Sequence, residues 1–522
     1  DGGAGGGAGG DLNQAESVSS ESANAQQSDA QESKDSTDQD GADEKSFDEL
    51  TAGDTAYGFK LSSVTDNSII KSEIYTFEHE KSGAKLVCLK NEDPELAFGI
   101  FYKTPVVDET DTNHVFEHAI IASSEKYPST DLFFDIANKS YSTFVNAFTY
   151  DTFTGYPLSS MSQDQLMLTM DAYLSCMTAP GILDNEDIFK REAIRYELYD
   201  KDEPIQMTGT VYAEDFGFLT DIDSEAFNNI IDTLYPGETA SNSIGRAHLN
   251  YKALTYEHAA ETFDRCYSFD NSLIMLYGDM DYYEAMSFID SEYLSKYEKR
   301  GTDLSQYLNE ETEPGFVKAV IESPAYEGDV TENASRIDYA ISLNELGYED
   351  ITAWDIISTA LNNENGPFLK KLREKGIYNQ CAVGVNAFTM KPYMVFCMYQ
   401  ADETQAEAFR EAADETLKEL VSDGIDDELL RITLKQIEIA NYEVRDVKNA
   451  GINIFPNIVN YWTHTGETDF YGLYEDVFSR ISADGEQDII KRLAESALNA
   501  ERSALVVTVP KAGLAEEIIA ER

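Results

Sequence analysis

The sequence predicts an α+β protein with two similar domains, and three observations support this prediction. Strand-like and helix-like segments alternate after Thr51 without a strict βαβ rhythm, which favours layers of sheet and helix. The tetrapeptide Asn146-Ala-Phe-Thr149 recurs as Asn386-Ala-Phe-Thr389, and each copy follows a helical stretch and precedes an aromatic-rich strand. A polar stretch near 300–316 separates the copies and indicates the domain boundary.

Composition limits the possible functions. A chain of 522 residues is long enough for several domains with sizeable cores. Its formal net charge of −58 argues against nucleic acid and anionic membrane surfaces as partners, because the long-range field repels both. The sequence contains no apolar run long enough to predict a transmembrane segment.

The first 46 residues are rich in Gly, Ser, Gln and acidic residues, and the first aromatic residue is Phe47. Such a segment cannot bury enough apolar surface to order itself, so we predict a flexible tether. It resembles the tethers of bacterial surface lipoproteins, which indicates a protein that is secreted or tethered to the bacterial cell surface. An intracellular acidic tail is the alternative.

The first predicted elements are strands. Residues 72–90 indicate a hairpin that turns at 81–84, because two alternating runs flank a Gly-containing turn. Residues 96–105 are apolar on both faces, which predicts a central strand. A helix is predicted over about 113–123.

After this helix, predicted helices and strands follow one another along the chain. Residues 130–138 predict a helix, and 142–157 predict a strand, a turn and a second strand. Helical periodicity extends over 163–177. A further helix is predicted over 186–198.

The most informative motif is His114-Val-Phe-Glu117-His118. On a helix, positions i, i+3 and i+4 share one face, so both imidazoles can reach one metal ion with the carboxylate beside them. This is the H-x-x-E-H order of inverted zinc peptidases. The alternative is a surface helix with two incidental histidines.

Several further segments occur in a specific order with this motif, and together they resemble the presequence-protease branch of the pitrilysin/insulysin metallopeptidases. The resemblance implies two homologous domains, each a mostly antiparallel sheet packed against helices. It also implies that the chain is the N-terminal half of such an enzyme. The segments are Lys103-Thr-Pro105, the metal motif, Lys126-Tyr-Pro128, Asn146-Ala-Phe-Thr-Tyr150, Tyr196-Glu-Leu198, Val211-Tyr-Ala-Glu-Asp-Phe-Gly217 and Leu254-Thr-Tyr-Glu-His258.

The resemblance implies one zinc ion per chain, held by His114, His118 and Glu214. It assigns Glu117 as the general base that activates a zinc-bound water. Only the aligned sequence context distinguishes Glu214 from its acidic neighbours Glu197 and Asp215.

The resemblance also gives Glu192 a supporting role near the metal. It places Asn146 and Ala147 on the edge strand that pairs with a peptide substrate, although a structural turn is an equally good interpretation of Asn146. We interpret His258 as a structural helix residue.

Only the first domain is expected to bind metal. At the offset of 240 residues that relates the two copies, the motif positions are occupied by Trp354, Ile357 and Ser358. The predicted segments are a disordered acidic tether (1–48), a catalytic zinc-binding domain (49–300), a linker (301–315), a non-catalytic repeat of the domain (316–512) and the start of a hinge to a C-terminal half (513–522).

The predicted function is a zinc-dependent endopeptidase that hydrolyses unfolded peptides and acts together with its C-terminal half. The alternative is a non-catalytic peptide-binding or scaffold subunit of a peptidase complex. Loss of a ligand or of the base would indicate that alternative, and neither residue type is lost here.

Overall fold

The computed structural model describes residues 45–246, 250–308, 310–485 and 487–521. The chain divides into two compact units. The first, Asp1–Leu50, contributes a 3₁₀ turn at Phe47–Glu49, while residues 1–44 of the predicted tether lie outside the described residues. The second, Thr51–Arg522, contains every element discussed below. Within the described ranges, no helix combines the length and apolar character needed to cross a membrane.

Sixteen strands occur in the described part of the chain and are numbered in chain order. They are β1 Thr55–Ala56, β2 Phe59–Asn67, β3 Ser72–His79, β4 Lys85–Lys90, β5 Leu96–Lys103, β6 Ser142–Val145, β7 Phe148–Thr149, β8 Phe153–Ser160, β9 Arg195–Glu197, β10 Gln206–Thr208, β11 Ser272–Gly278, β12 Gly315–Ala325, β13 Ser335–Ser342, β14 Cys381–Asn386, β15 Tyr393–Ala401 and β16 Arg502–Ala512.

Seventeen α-helices are described over the same ranges. They are α1 Thr112–Ile120, α2 Leu132–Lys139, α3 Gln163–Thr178, α4 Glu186–Glu192, α5 Thr210–Gly217, α6 Ile222–Leu234, α7 Tyr256–Cys266, α8 Tyr282–Glu292, α9 Ser305–Leu308, α10 Tyr348–Leu361, α11 Pro367–Glu374, α12 Ala406–Asp423, α13 Asp427–Glu443, α14 Ala450–Thr465, α15 Phe470–Ala483, α16 Asp488–Leu498 and α17 Leu514–Glu521.

The first large sheet has the strand order β1-β2-β3-β4-β11-β5-β8-β6, and the short β7 also pairs with β8. All its pairs are antiparallel except β4–β11. β5 lies between β11 and β8, and it is buried from Leu96 to Tyr102. The predicted 72–90 hairpin and the central position of 96–105 are therefore confirmed.

The second large sheet has the order β12-β16-β13-β15-β14, and only β12–β16 is parallel. This repeats the order β4-β11-β5-β8-β6 of the first sheet, including the position of its parallel pair. The predicted α+β class with two similar halves is confirmed by this repeated topology. The exact bounds 49–300, 301–315 and 316–512 stay predictions.

Each half contributes one helix to the sheet of the other half. Helix α6 precedes the second sheet in sequence, yet Ile230 and Leu234 pack with Ala504 and Val506 of β16. Helix α14 follows most of the second sheet, yet Phe455 belongs to the core cluster of the first sheet. This pair of contacts is called the helix exchange below. The exchange buries an apolar face of each helix and joins the two halves.

The counterpart of the metal-motif helix in the second half is α10. It carries Trp354, Ile357 and Ser358 at the repeat positions, and all three side chains are buried. Trp354 and Ile357 belong to the core of the second sheet. The second half therefore has buried side chains that do not ionise where the first half has ionisable ones.

One predicted helix is wrong in its second part, and another is shorter than expected. The predicted helix 186–198 ends at Glu192, and Arg195–Glu197 forms β9, which pairs with β10 in a separate hairpin. Gly209 lies so close to Ala193 that an added Cβ would be 1.8 Å from the Ala193 carbonyl oxygen. For Gly209 to contact Ala193, the chain must leave helix α4 and fold back through the β9–β10 hairpin. Helix α1 ends at Ile120, before the predicted residue 123.

Candidate metal centre

Helix α1 presents its motif residues on the face opposite its packing surface. The apolar face is buried against α7, where the Phe116 ring lies 6.0 Å from that of Phe263 and 5.1 Å from that of Tyr267, centroid to centroid. Glu117 follows Phe116 and is itself 5 % exposed. The apolar contacts fix the rotation of α1, so His114, Glu117 and His118 face α4 and α5.

Three ligand atoms converge between α1 and α5. Glu214 Oε2 lies 3.8 Å from His114 Nε2 and 3.7 Å from His118 Nε2. These residues form a group whose ligand atoms all lie within 4.8 Å of one another. Ligand atoms about 2.1 Å from a tetrahedral zinc lie roughly 3.4 Å apart, so this donor set fits the ion with a small contraction.

The second nitrogen of each imidazole faces a carboxylate. His114 Nδ1 lies 3.2 Å from Asp111 Oδ2, and His118 Nδ1 lies 3.6 Å from Glu192 Oε2. A carboxylate at this position fixes the ring orientation and holds the proton on Nδ1, which leaves Nε2 free to bind a metal. This pairing of each ring with an acid is typical of histidines that bind metals in proteins.

The surrounding carboxylates favour a positive charge on both rings. Burial lowers the pKa of His114, but nearby acids, chiefly Asp111, raise it to about 10. Burial also lowers the pKa of His118, yet the nearby Glu192 and Glu117 carboxylates raise it overall. Such a site attracts cations and binds protons when no metal is present, so metal and protons compete for it.

Glu192 is held as a charged carboxylate. Burial raises its pKa, but the interactions with His118 and Arg191 outweigh burial and lower it to about 2. The Arg191 guanidinium donates to Glu192 Oε1 at 2.5 Å. Glu192 therefore remains ionised while it orients the His118 ring.

Glu117 belongs to the site without belonging to the ligand group. Its Oε2 accepts a 2.7 Å hydrogen bond from the Thr149 hydroxyl of β7. Thr149 is buried, and its hydroxyl also lies 3.3 Å from the hydroxyl of Thr154. The carboxylate is thus held beside the two histidines on α1, with one oxygen fixed by a neutral donor.

The predicted substrate-binding residues follow the edge strand. β6 is the last strand of the first sheet, and Asn146 and Ala147 connect it to β7. The Asn146 carbonyl accepts a 3.3 Å hydrogen bond from the Tyr173 hydroxyl, while Ala147 is 9 % exposed. Asn146 is therefore anchored to the first half and next to an open sheet edge.

Two residues that contribute to the site were not predicted from the sequence, and the position of a third was not recognised. Asp111 adopts a left-handed backbone conformation (φ 56°) directly before α1, and this brings its carboxylate to His114. Thr149 was recognised only as part of the repeat, although its hydroxyl binds the proposed base. Asp215 was considered a competitor of Glu214, but its Oδ1 lies 3.7 Å from His114 Nδ1, behind the ring. The position of Asp111, three residues before His114, was the available signal.

A family model described as the Peptidase M16 inactive domain matches residues 253–437. The matched range begins after all the residues of the candidate metal centre. The description as inactive therefore concerns a different part of the chain.

Curated relatives match more of the sequence. Protein HypA of Clostridium perfringens is 29% identical over 478 residues, covering 89% of this chain and 48% of that protein. Presequence protease 1 of Arabidopsis thaliana is 27% identical over 390 residues, covering 73% of this chain and 36% of that protein. The mitochondrial presequence protease of Mus musculus is 26% identical over 426 residues, covering 80% of this chain and 40% of that protein. The chain thus spans less than half the length of these relatives.

Solved structures share the fold. A protease from Helicobacter pylori has a TM-score of 0.67 at 15% identity, covering 84% of this chain and all of that one. A putative M16-like peptidase from Alicyclobacillus acidocaldarius has a TM-score of 0.59 at 15% identity, covering 87% of this chain and 99% of that one. From these similarities, the chain is a homologue of the presequence proteases with the fold of M16-like peptidases.

Proposed function

We propose that this chain carries the catalytic zinc site of an endopeptidase that hydrolyses unfolded peptides. The observation that supports this most directly is the convergence of His114, His118 and Glu214 on one point, with Glu117 beside it. Two imidazoles and one carboxylate are the usual protein ligands of a catalytic zinc, which keeps a fourth position open. A structural zinc site would use four protein ligands.

The donor set fits zinc in its chemistry as well as its spacing. His114 and His118 each pair with a carboxylate through Nδ1, which leaves a neutral Nε2 lone pair for the ion. When zinc is bound there, it supplies Lewis acidity that polarises a substrate carbonyl and acidifies water.

Glu117 is the proposed general base. Its carboxylate is buried beside the histidines and accepts one hydrogen bond from Thr149, so its second oxygen can accept a proton from the attacking water. Glu117 then returns this proton to the leaving amine. Thr149 limits rotation of the carboxylate and is a positioning residue for this transfer.

The edge strand β6 is the proposed recognition surface. An extended peptide can add to an open sheet edge through main-chain hydrogen bonds, which gives loose sequence preference and requires an unfolded substrate. Asn146 and Ala147 lie between this edge and Thr149, which itself contacts Glu117. A peptide paired along β6 would therefore extend toward the proposed base.

The proposed partner is the C-terminal half of the same enzyme, because the curated relatives are more than twice as long as the region matched here. That half would form the opposite wall of a closed chamber and exclude water. We also propose that the protein is secreted or tethered to the bacterial cell surface, on the strength of its Gly/Ser-rich acidic N-terminal segment.

A non-catalytic peptide-binding or scaffold subunit is the second candidate. The description of the matched 253–437 domain as inactive is the observation behind it, although that range contains none of the metal-centre residues. This second function requires that the chain bind peptide without cleaving it, even when the metal site is filled.

One experiment separates these functions. The purified chain is loaded with zinc, its metal content is measured, and cleavage of an unfolded peptide is followed with and without the separately produced C-terminal half. We expect about one zinc per chain and weak cleavage that rises by orders of magnitude with the added half. Peptide binding without cleavage in both mixtures would support the scaffold subunit instead.

A further inference from the structure

A cavity of about 180 Å³ lies beside the first turn of α1, and none of the metal-centre residues line it. One wall is the connection from Val106 into the first turn of α1. The other wall is one face of α7, where the lining side chains recur with helical spacing at His258, Glu261, Thr262 and Arg265. A single buried water needs far less space, so the cavity can hold several waters or one small ion.

Two nitrogen atoms beside this cavity have no hydrogen-bond partner. Arg265 Nε and His258 Nδ1 are both buried, and among the described residues nothing bonds to either atom. The Arg265 Nη2 donates to the Thr262 hydroxyl at 3.3 Å, and the guanidinium also interacts with the Cys266 thiol. In the described ranges no carboxylate forms an ion pair with Arg265. A guanidinium is always charged, so leaving it without an anion while partly buried is costly.

The first turn of α1 also contributes to the cavity. Thr112 and Asn113 line it, and the carboxylate of the N-cap residue Asp111 accepts no hydrogen bond from a backbone N–H of the first turn, because it contacts the His114 ring instead. The early N–H groups of α1 therefore lack the usual side-chain acceptor. An uncapped helix N-terminus has partial positive charge and favours anions, and the nearby Asp111 carboxylate offsets part of that charge, so Arg265 must supply most of the attraction.

Two acids also line the cavity. Asp108 Oδ1 accepts hydrogen bonds from the Thr110 N–H and hydroxyl, so its charge is already solvated by the turn. Glu261 is exposed to solvent. Neither acid forms the ion pair that Arg265 lacks within the described structure.

We propose that this cavity binds a small oxyanion, of the size of phosphate or a short carboxylate, between Arg265, His258 and the N-terminus of α1. The site is separate from the proposed peptidase chemistry and would stabilise the helix that carries the metal ligands. Because the chain has a net charge of −58, general adsorption of anions is disfavoured, and saturable binding would indicate a local site.

The test titrates the chain with inorganic phosphate, and separately with acetate, by calorimetry in chelator-treated buffer. We expect one saturable site for at least one of the two anions. Arg265→Gln should weaken binding by about tenfold or more, since it removes a charged donor. Arg431→Gln is the matched control, because it removes the same charge from an exposed position on α13.

Three results would overturn the proposal. The first is the absence of saturable binding, which leaves water as the only occupant. The second is that Arg265→Gln binds the anion as tightly as wild type. The third is anion binding that appears only with zinc and disappears in His118→Ala. If Arg265→Gln does not fold, as judged by circular dichroism, His258→Gln is tested in its place, with the same weakening expected. A rise in melting temperature with phosphate, present in wild type and reduced in the variant, would further support the site.

Discussion

The Thr149 hydroxyl donates a 2.7 Å hydrogen bond to Glu117 Oε2 and thereby connects a strand of the first sheet to the proposed base. The metal motif lies on α1, but the orientation of its carboxylate is set from β7. The repeat that first revealed two similar domains therefore includes a residue of the site. Its counterpart, Thr389, donates to the backbone carbonyl of Lys391 instead.

The first prediction concerns proton transfer. Glu117→Gln should retain zinc and lose about 10²–10⁴-fold in peptidase rate, because an amide keeps the shape but cannot accept the proton. Thr149→Val should retain zinc and lose about tenfold, since one charged hydrogen bond is removed. Zinc content and the rate of peptide cleavage are measured for both. Full activity of Glu117→Gln would assign the base to another residue.

The second prediction concerns the ligands. His118→Ala and Glu214→Gln should each reduce zinc content well below one ion per chain, because two ligands hold the ion far less tightly than three. Glu197→Gln is the matched control, since it changes a nearby acid on β9 that is outside the ligand group. If Glu197→Gln releases zinc and Glu214→Gln does not, the assigned third ligand is wrong.

A third prediction tests the carboxylate behind His118. Glu192→Gln should weaken zinc binding by about 10–100-fold while leaving the three ligands in place. The amide cannot provide the negative charge that now faces Nδ1 at 3.6 Å. Competition with a chromophoric chelator measures the affinity. Unchanged affinity would limit Glu192 to packing.

The fourth prediction concerns pH and stability. Burial, reinforced by the charge of Lys103, lowers the pKa of His464 to about 4. The unfolded chain binds this proton near pH 6.5, so the free energy of unfolding should fall as pH decreases from about 6.5 to about 4, by at most about 3 kcal/mol. Chemical denaturation across this range, compared between wild type and His464→Gln, isolates the contribution. Parallel curves for the two proteins would contradict it.

Much of the site could be predicted because its key spacing is local. His114, Glu117 and His118 lie within one helical turn and a half, so their shared face follows from the sequence alone. Glu214 required a resemblance to a known family, since many acids in the chain could in principle reach the metal. The structure brings the Glu214 carboxylate within 4 Å of Nε2 of both histidines.

The parts that could not be predicted depend on tertiary contacts. The helix assigned to 186–198 was wrong after Glu192, because the close packing of Gly209 on Ala193 is invisible in the local pattern. The contribution of Asp111 depends on one left-handed residue before α1. The apolar pattern of α6 predicts a buried face, but nothing in it specifies which of two similar sheets that face covers.

The helix exchange also has a consequence for the order of folding during synthesis. The strands and ligands of the first half leave the ribosome long before α14, whose Phe455 completes the core of the first sheet. Until that late segment arrives, the sheet beneath the metal centre keeps an uncovered apolar face. We therefore expect the first half to reach its full stability only after α14 has been synthesised, so that the two halves complete their folding together.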